Sequence, residues 1–155
     1  WIKDAVQSMR DSNRLGAGCL RWVGATECTD LTGFGLLGHL VEMTRPSGVD
    51  AILYLSALPI LDGAEETVAA GILSSLQPAN VRLRRAIRDA KVTVNHPRYP
   101  LIFDPQTAGG LLASIPANQA DSCVRELIAL GYPRACIIGS IHPQGDAIEP
   151  VLLRD

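Results

Sequence analysis

Ile2, Ala5, Val6 and Met9 fall on one side of a 3.6-residue period, which predicts an amphipathic helix over residues 2–12. Residues 13–18 are polar and glycine-bearing and read as a connection, and 20–28 read as an extended piece. Leu36, Leu37, Leu40 and Val41 make a second helical stripe, from Gly35 or Leu36 to Thr44. Pro46 is expected to end it, because proline disfavours helical geometry in the residue before it. Residues 49–55 alternate and carry β-branched and aromatic side chains, the pattern of a strand. A short helix is expected over 61–71, a loop over 74–80, and a basic helix over 81–90. Arg82, Arg84, Arg85 and Arg88 would spread around that last cylinder as a solvated face. Pro97 and Pro100 interrupt regular structure, and the apolar run 111–115 reads as a strand. Ala120, Cys123, Val124, Leu127 and Ile128 share one helical face, with Gly131 placed to end the helix. Residues 135–141 and 147–153 look like two strands of a hairpin-like end. This irregular alternation predicts an α+β domain, a mixed or antiparallel sheet with helices packed on it.

Composition narrows the class. At 155 residues, 47% hydrophobic and 19% charged, the chain suits a single globular domain with a sizeable core and not a disordered segment. Aromatic residues are only 5%, so that core must come from Leu, Ile, Val and Ala. A net charge of −2 without a basic block gives no electrostatic footprint for nucleic acid. No apolar stretch approaches the ~20 residues of a membrane span. The chain starts at Trp1, inside a predicted helix, and is expected to be a piece of a longer protein. Cys19, Cys28, Cys123 and Cys136 form no C-x-x-C pair and have no histidine at zinc-ligand spacing. They are expected to be free thiols in a reducing, cytoplasmic compartment.

The chemistry concentrates in residues 29–39, where Thr29, Asp30 and Thr32 precede a glycine-rich turn that opens the second predicted helix. A helix N-terminus suits phosphate, but a carboxylate beside it repels bare phosphate. The pair is compatible when a divalent cation sits between them, so Asp30 is a candidate Mg²⁺ ligand at a nucleotide's phosphates. Helix capping is the competing reading of Asp30 and stays open here. Gly33 to Gly38 also spells G-x-G-x-x-G, yet no hydrophobic strand precedes Gly33 and Asp50 lies too near for a ribose-binding acid, so a dinucleotide site is rejected. His39 falls opposite the Leu36/Leu40 stripe and reads as a polar surface residue. Asp104, before Pro105, reads as the opening of a turn. His96 and His142 each precede a proline, and nothing in the sequence pairs them with a nucleophile.

A second block, Phe103-Asp104-Pro105-Gln106-Thr107-Ala108-Gly109-Gly110-Leu111-Leu112, completes the pattern. It resembles the F-D-P-Q-T-S-G-G-L-L block of the selenide, water dikinase (selenophosphate synthetase) family. Residues 29–40 resemble that family's T-D-V-T-G-F-G-L-L-G-H-L block, and Asn80 matches an asparagine of the intervening loop. The resemblance covers nearly the whole chain but only the C-terminal half of the family. It implies the C-terminal domain of the aminoimidazole ribonucleotide synthetase-like fold, from an enzyme that makes selenophosphate from selenide, ATP and water. The nucleophilic Cys or selenocysteine and further metal ligands would lie in an N-terminal domain, so this piece alone is expected to be inactive. By the same match Asp30 would ligate Mg²⁺, and Thr29, Thr32, Gly33, Gly35 and Asn80 would line the nucleotide cleft. A homodimeric full-length protein is implied as well. Ala108 replaces the commoner serine, and Ser74-Ser75 stand near a common Gly-Gly, departures that leave the 29–40 block untouched. Two other readings remain: an ATP-dependent enzyme of purine synthesis or hydrogenase maturation with the same architecture, and a non-catalytic packing or dimerisation module.

Overall fold

The computed structural model describes all 155 residues. In chain order the elements are α1 (Ile2–Arg10), α2 (Arg14–Trp22), β1 (Glu27–Asp30), α3 (Gly35–Ser47), β2 (Val49–Tyr54), α4 (Ala64–Ala69), α5 (Gln77–Asn80), β3 (Ile87–Arg88), α6 (Ala90–Thr93), β4 (Leu111–Ser114), α7 (Ala120–Ala129), β5 (Gly139–Pro143) and β6 (Val151–Arg154). Short 3₁₀ turns occupy Leu55–Ala57, Val81–Ala86, Pro100–Phe103 and Ala117–Gln119. The expected α+β class is what the chain adopts.

A four-stranded mixed sheet runs in the order β3-β6-β2-β5. β2 pairs antiparallel with β5 and parallel with β6, and β3 pairs parallel with β6. The predicted hairpin of the last two strands does not exist, because β2 lies between them. Ala51, Leu53 and Val151 point from this sheet into the core that α3 covers with Leu37, Leu40 and Val41. Phe103 and Ile102, from the Pro100–Phe103 turn, fill its centre at 1% and 0% exposure. Burying such a side chain stabilises the fold by ~1.5–3 kcal/mol. β1 and β4 form a separate two-stranded ribbon, over which α2 and α7 close a smaller apolar cluster of Cys19, Leu20 and Cys123. All four cysteines are free thiols.

Packing overrides the local signals at three places. Residues 14–18 belong to a helix, not a connection, whose first turn packs on the Tyr132 ring, the Gly16 N–H donating to Tyr132 Oη at 3.0 Å. Pro46 lies inside α3 without ending it. Thr44, two residues earlier, is buried and ties its hydroxyl to the Leu40 carbonyl at 2.9 Å, and the helix runs on to Gly48, whose φ of +60° closes it. Residues 81–90 are not a helix. Leu83 and Ala86, three apart, both turn to the core as 3₁₀ geometry requires, and Ile87 and Arg88 then join β6. Arg88 is no solvated side chain: it meets Asp50 at 2.5 Å and donates to the Glu149 carbonyl at 2.6 Å.

Helix α1 buries nothing and leaves Ile2, Val6 and Met9 exposed. It is held at its N-terminal end, by the Trp1 ring stacked on Gly63 and by Asp4, which pairs with Arg134 at 2.5 Å.

Candidate functional site

The two motif segments, some eighty residues apart, are laced together. β1 runs antiparallel to β4, with Asp30 opposite Leu111 and Thr29 opposite Leu112. Beyond the strands, the Leu31 N–H donates to the Gly110 carbonyl at 2.9 Å and the Gln106 N–H to the Thr32 carbonyl at 3.1 Å. Gly109 lies so close under the Leu31 carbonyl that any Cβ would collide with it. Asn13, which carries no motif signal in the sequence, donates its amide to the Gly109 carbonyl at 3.1 Å.

The glycine turn meets the Phe103 segment as closely. Gly35 opens α3 with a φ of +69°, and a Cβ there would press on the backbone of Ile102 to Asp104. Asn80 joins the same two segments: its Nδ2 donates to the Gly33 carbonyl at 2.9 Å and the Phe103 carbonyl at 3.0 Å. Both of its N–H donors are spent on the fold, which makes Asn80 a clamp. Gln77 adds a second tie, from Nε2 to the Pro100 carbonyl at 2.7 Å.

His39 is buried, contrary to its reading as a surface residue. The Thr32 N–H donates to His39 Nε2 at 3.0 Å, and Nδ1 faces Glu42 Oε2 at 3.3 Å. The imidazole thus locks the turn against the second turn of α3. A histidine seven residues after a threonine gives no sequence signal for this, because the contact arises only when the chain doubles back at Gly35.

Asp30 is exposed, and its carboxylate has no hydrogen-bond or ion-pair partner. It does not cap α3: the residue preceding that helix is Phe34, and no side chain caps it. The helix-cap reading of Asp30 therefore falls. The first N–H of α3, that of Gly35, donates to the Thr32 carbonyl at 3.1 Å, and the helix start carries a partial positive charge. Thr29 spends its hydroxyl on the Asp30 carbonyl at 3.2 Å. Cys28 shares the Asp30 face of the strand, and burial followed by the Asp30 charge pushes its thiol up. Asp104 is half-buried; burial raises its carboxyl, and a hydrogen bond from Gln106 opposes the rise.

No group of three or more His, Cys, Asp or Glu side chains could enclose a metal ion. Asp30 stands outside any such group and by itself could fill at most one position of a coordination shell. Away from the turn, the structure does gather a serine, a histidine and an aspartate, which the sequence did not pair. Ser56 and Asp155 both meet His96 at Nε2, while His96 Nδ1 accepts the Arg98 N–H at 3.1 Å. With Nδ1 accepting, the proton sits on Nε2, so His96 cannot take one from Ser56. A cavity of about 280 Å³ beside His96 is lined by Val92, Thr93, Leu153, Arg154 and Asp155 and includes no residue of either motif.

Residues 4–149 match the family described as AIR synthase related protein, C-terminal domain. The chain belongs to that family. Among curated proteins, this AIR synthase-related domain is 35% identical over 150 residues to the selenide, water dikinase of Geobacter metallireducens, covering 95% of the chain and 43% of that protein. It is 31% identical over 147 residues to the selenide, water dikinase of Clostridioides difficile, covering 95% and 42%. The domain spans less than half the length of the curated relatives it matches. No helix in it is long and apolar enough to cross a membrane.

Proposed function

We propose that this chain is the C-terminal half of a selenide, water dikinase, a cytoplasmic homodimer that makes selenophosphate from selenide, ATP and water. One observation carries the reading. The exposed, unpartnered carboxylate of Asp30 stands where the two motif segments are stitched together, beside the uncapped start of α3. Nothing in the fold uses that carboxylate, whereas its neighbours Thr32, Gly33, Gly35 and Asn80 are engaged in holding the turn.

Asp30 fits one ligand position of a hard, oxygen-seeking cation such as Mg²⁺. The other positions fall to nucleotide phosphates, water and the N-terminal half that the relatives' length leaves room for. Bound there, Mg²⁺ would neutralise polyphosphate charge and let an anionic nucleophile approach. The chain's own residues do the positioning. Asn80 and His39 fix the turn, Gly35 lets it pack on the Phe103 segment, and Gly33, with open space where a side chain would stand, allows backbone to approach a ligand closely. The exposed apolar side chains of Phe34 and of α1 fit coverage by the N-terminal half.

The test is selenide-dependent AMP formation from ATP by the full-length protein, across a magnesium titration, for wild type and Asp30→Asn. Loss of activity in the variant supports the reading. Wild-type activity at every magnesium concentration, or AMP formation by residues 1–155 alone, defeats it. AMP-independent purine-ring chemistry in the full-length protein would assign it instead to another enzyme of the same architecture.

A further inference from the structure

Arg82, Arg84 and Arg85 stand together in the segment after Asn80. On an α-helix Arg82 and Arg85 would already be neighbours, offset by about 60°, and the 3₁₀ turn Val81–Ala86 removes that offset. At three residues per turn, i and i+3 eclipse one another. Arg82 and Arg85 therefore stack on one exposed flank, a rise of ~6 Å apart along the axis, while Leu83 and Ala86 face the core. Arg88, Arg98 and Arg134 each meet a carboxylate. Arg82, Arg84 and Arg85 meet none. Like charges stacked this closely repel, and an anion between them relieves the repulsion.

The flank is fastened to the turn that bears Asp30. Asn80, two residues before Arg82, holds the Gly33 carbonyl at 2.9 Å. Leu83, between the arginines, packs against Gly38 in the first turn of α3, 3.1 Å from where a Cβ on that glycine would sit. The two large apolar side chains of the segment, Val81 and Leu83, are drawn toward the core, so the flank offers no exposed apolar anchor of the kind a protein partner uses.

We propose that Arg82 and Arg85, flanked by Arg84, form an oxyanion-collecting face that takes phosphate oxygens of the nucleotide addressed by the Asp30 turn. This assignment rests on the reading of that turn given above. A guanidinium binds phosphate oxygens in pairs, and two on one flank present parallel forks. Their positive charge also raises the encounter rate for a polyanion.

The experiment titrates the 155-residue chain with inorganic tripolyphosphate in the absence of divalent metal, following heat release and backbone amide shifts. The Arg82→Gln/Arg85→Gln variant is expected to bind at least about tenfold more weakly and to lose most of the salt dependence of binding. Its amide spectrum away from the segment should be unchanged, since both side chains are exposed. Arg82→Lys/Arg85→Lys, which keeps charge but not the fork, should fall between the two. Asp30→Asn should retain or strengthen metal-free binding. Equal affinity in wild type and the Gln variant, or no binding by wild type, overturns the proposal. So does tighter competition by an acidic peptide than by tripolyphosphate, which would make the flank a protein-docking surface. Repeating the titration with Mg²⁺ separates the two readings. If Asp30→Asn keeps the full magnesium-dependent gain while the Gln variant still loses binding, the arginine face stands and the metal reading of Asp30 fails.

Discussion

Asn80 donates its side-chain amide to the Gly33 carbonyl at 2.9 Å, and with its other N–H it reaches Phe103. One side chain thus fixes the spacing of two segments whose own elements end at that point. Removing it leaves carbonyls without donors in a site too buried for water to replace them freely. A buried polar group left unpaired costs ~1–3 kcal/mol. Asn80→Ala is therefore expected to lower stability by about 2 kcal/mol, and Asn80→Asp by more, because a carboxylate would face two carbonyl oxygens. Urea unfolding midpoints of the three proteins check the order. A neutral Asn80→Ala would show that the clamp is dispensable.

Gly109 and Gly110 make a paired control. A methyl group at Gly109 would collide with the Leu31 carbonyl and force β1 from β4, while one at Gly110 meets nothing within 4 Å. Gly109→Ala is expected to cost more than ~2 kcal/mol and Gly110→Ala less than ~0.5 kcal/mol. Equal effects in denaturant melts would mean that the ribbon is not held at the separation described.

Asp30 presents the reverse case, a motif residue with no structural duty. Asp30→Asn is expected to change stability by less than about 0.5 kcal/mol, the usual range for an exposed, unpaired position. A destabilisation well beyond that, measured by thermal unfolding without metal, would return Asp30 to a structural role and remove the main support for a cation site.

Asp50 links three elements, through Arg88 at 2.5 Å and the Gly145 N–H at 2.9 Å. The Arg88 hydrogen bond first, then the Gly145 N–H, hold its carboxyl below the ordinary range against the opposing effect of burial. Because the folded-state value is depressed, the stabilisation is complete above the ordinary carboxylate range and is lost as pH falls through the depressed value. Asp50→Asn should be less stable than wild type at pH 7, and the difference should shrink as the solution is acidified. Urea midpoints at neutral and acid pH give the comparison; a constant difference at both would contradict it.

Asp104 should behave in the opposite sense. Burial raises its carboxyl and Gln106 only partly offsets this, so ionisation is harder in the folded chain. Stability then falls as pH rises from the ordinary carboxylate range through the raised value. Asp104→Asn is expected to match wild type in acid and to exceed it at neutral pH, read from melting temperatures across that range. A variant less stable at neutral pH would show that the carboxylate is needed where it stands.

Much of this protein is written locally. The stripes of Ile2 to Met9, of Leu36 to Val41 and of Ala120 to Ile128 each give a helix near the expected place, and 49–55 and 111–115 give strands, because hydrophobic period and turn residues act over a few positions. The two motif blocks are equally legible, and they identify the family without any coordinates. The register in which they meet is not legible: it depends on Asp30 pairing with Leu111 and on Gly109 passing under Leu31, contacts between segments far apart in sequence. The same holds where local signals misled. Gly16 sits in a helix whose first turn packs on distant Tyr132, Pro46 is carried by the packing of the helix before it, and β2 separates β5 from β6, with Leu53 and Val151 both buried in the sheet's core. His39 turns inward because the chain reverses at Gly35, and Arg82 and Arg85 eclipse one another because Val81–Ala86 winds as a 3₁₀ turn with Leu83 and Ala86 on the core side. Sequence determines what each short segment prefers; tertiary burial decides which preferences survive, since it acts on all of them at once.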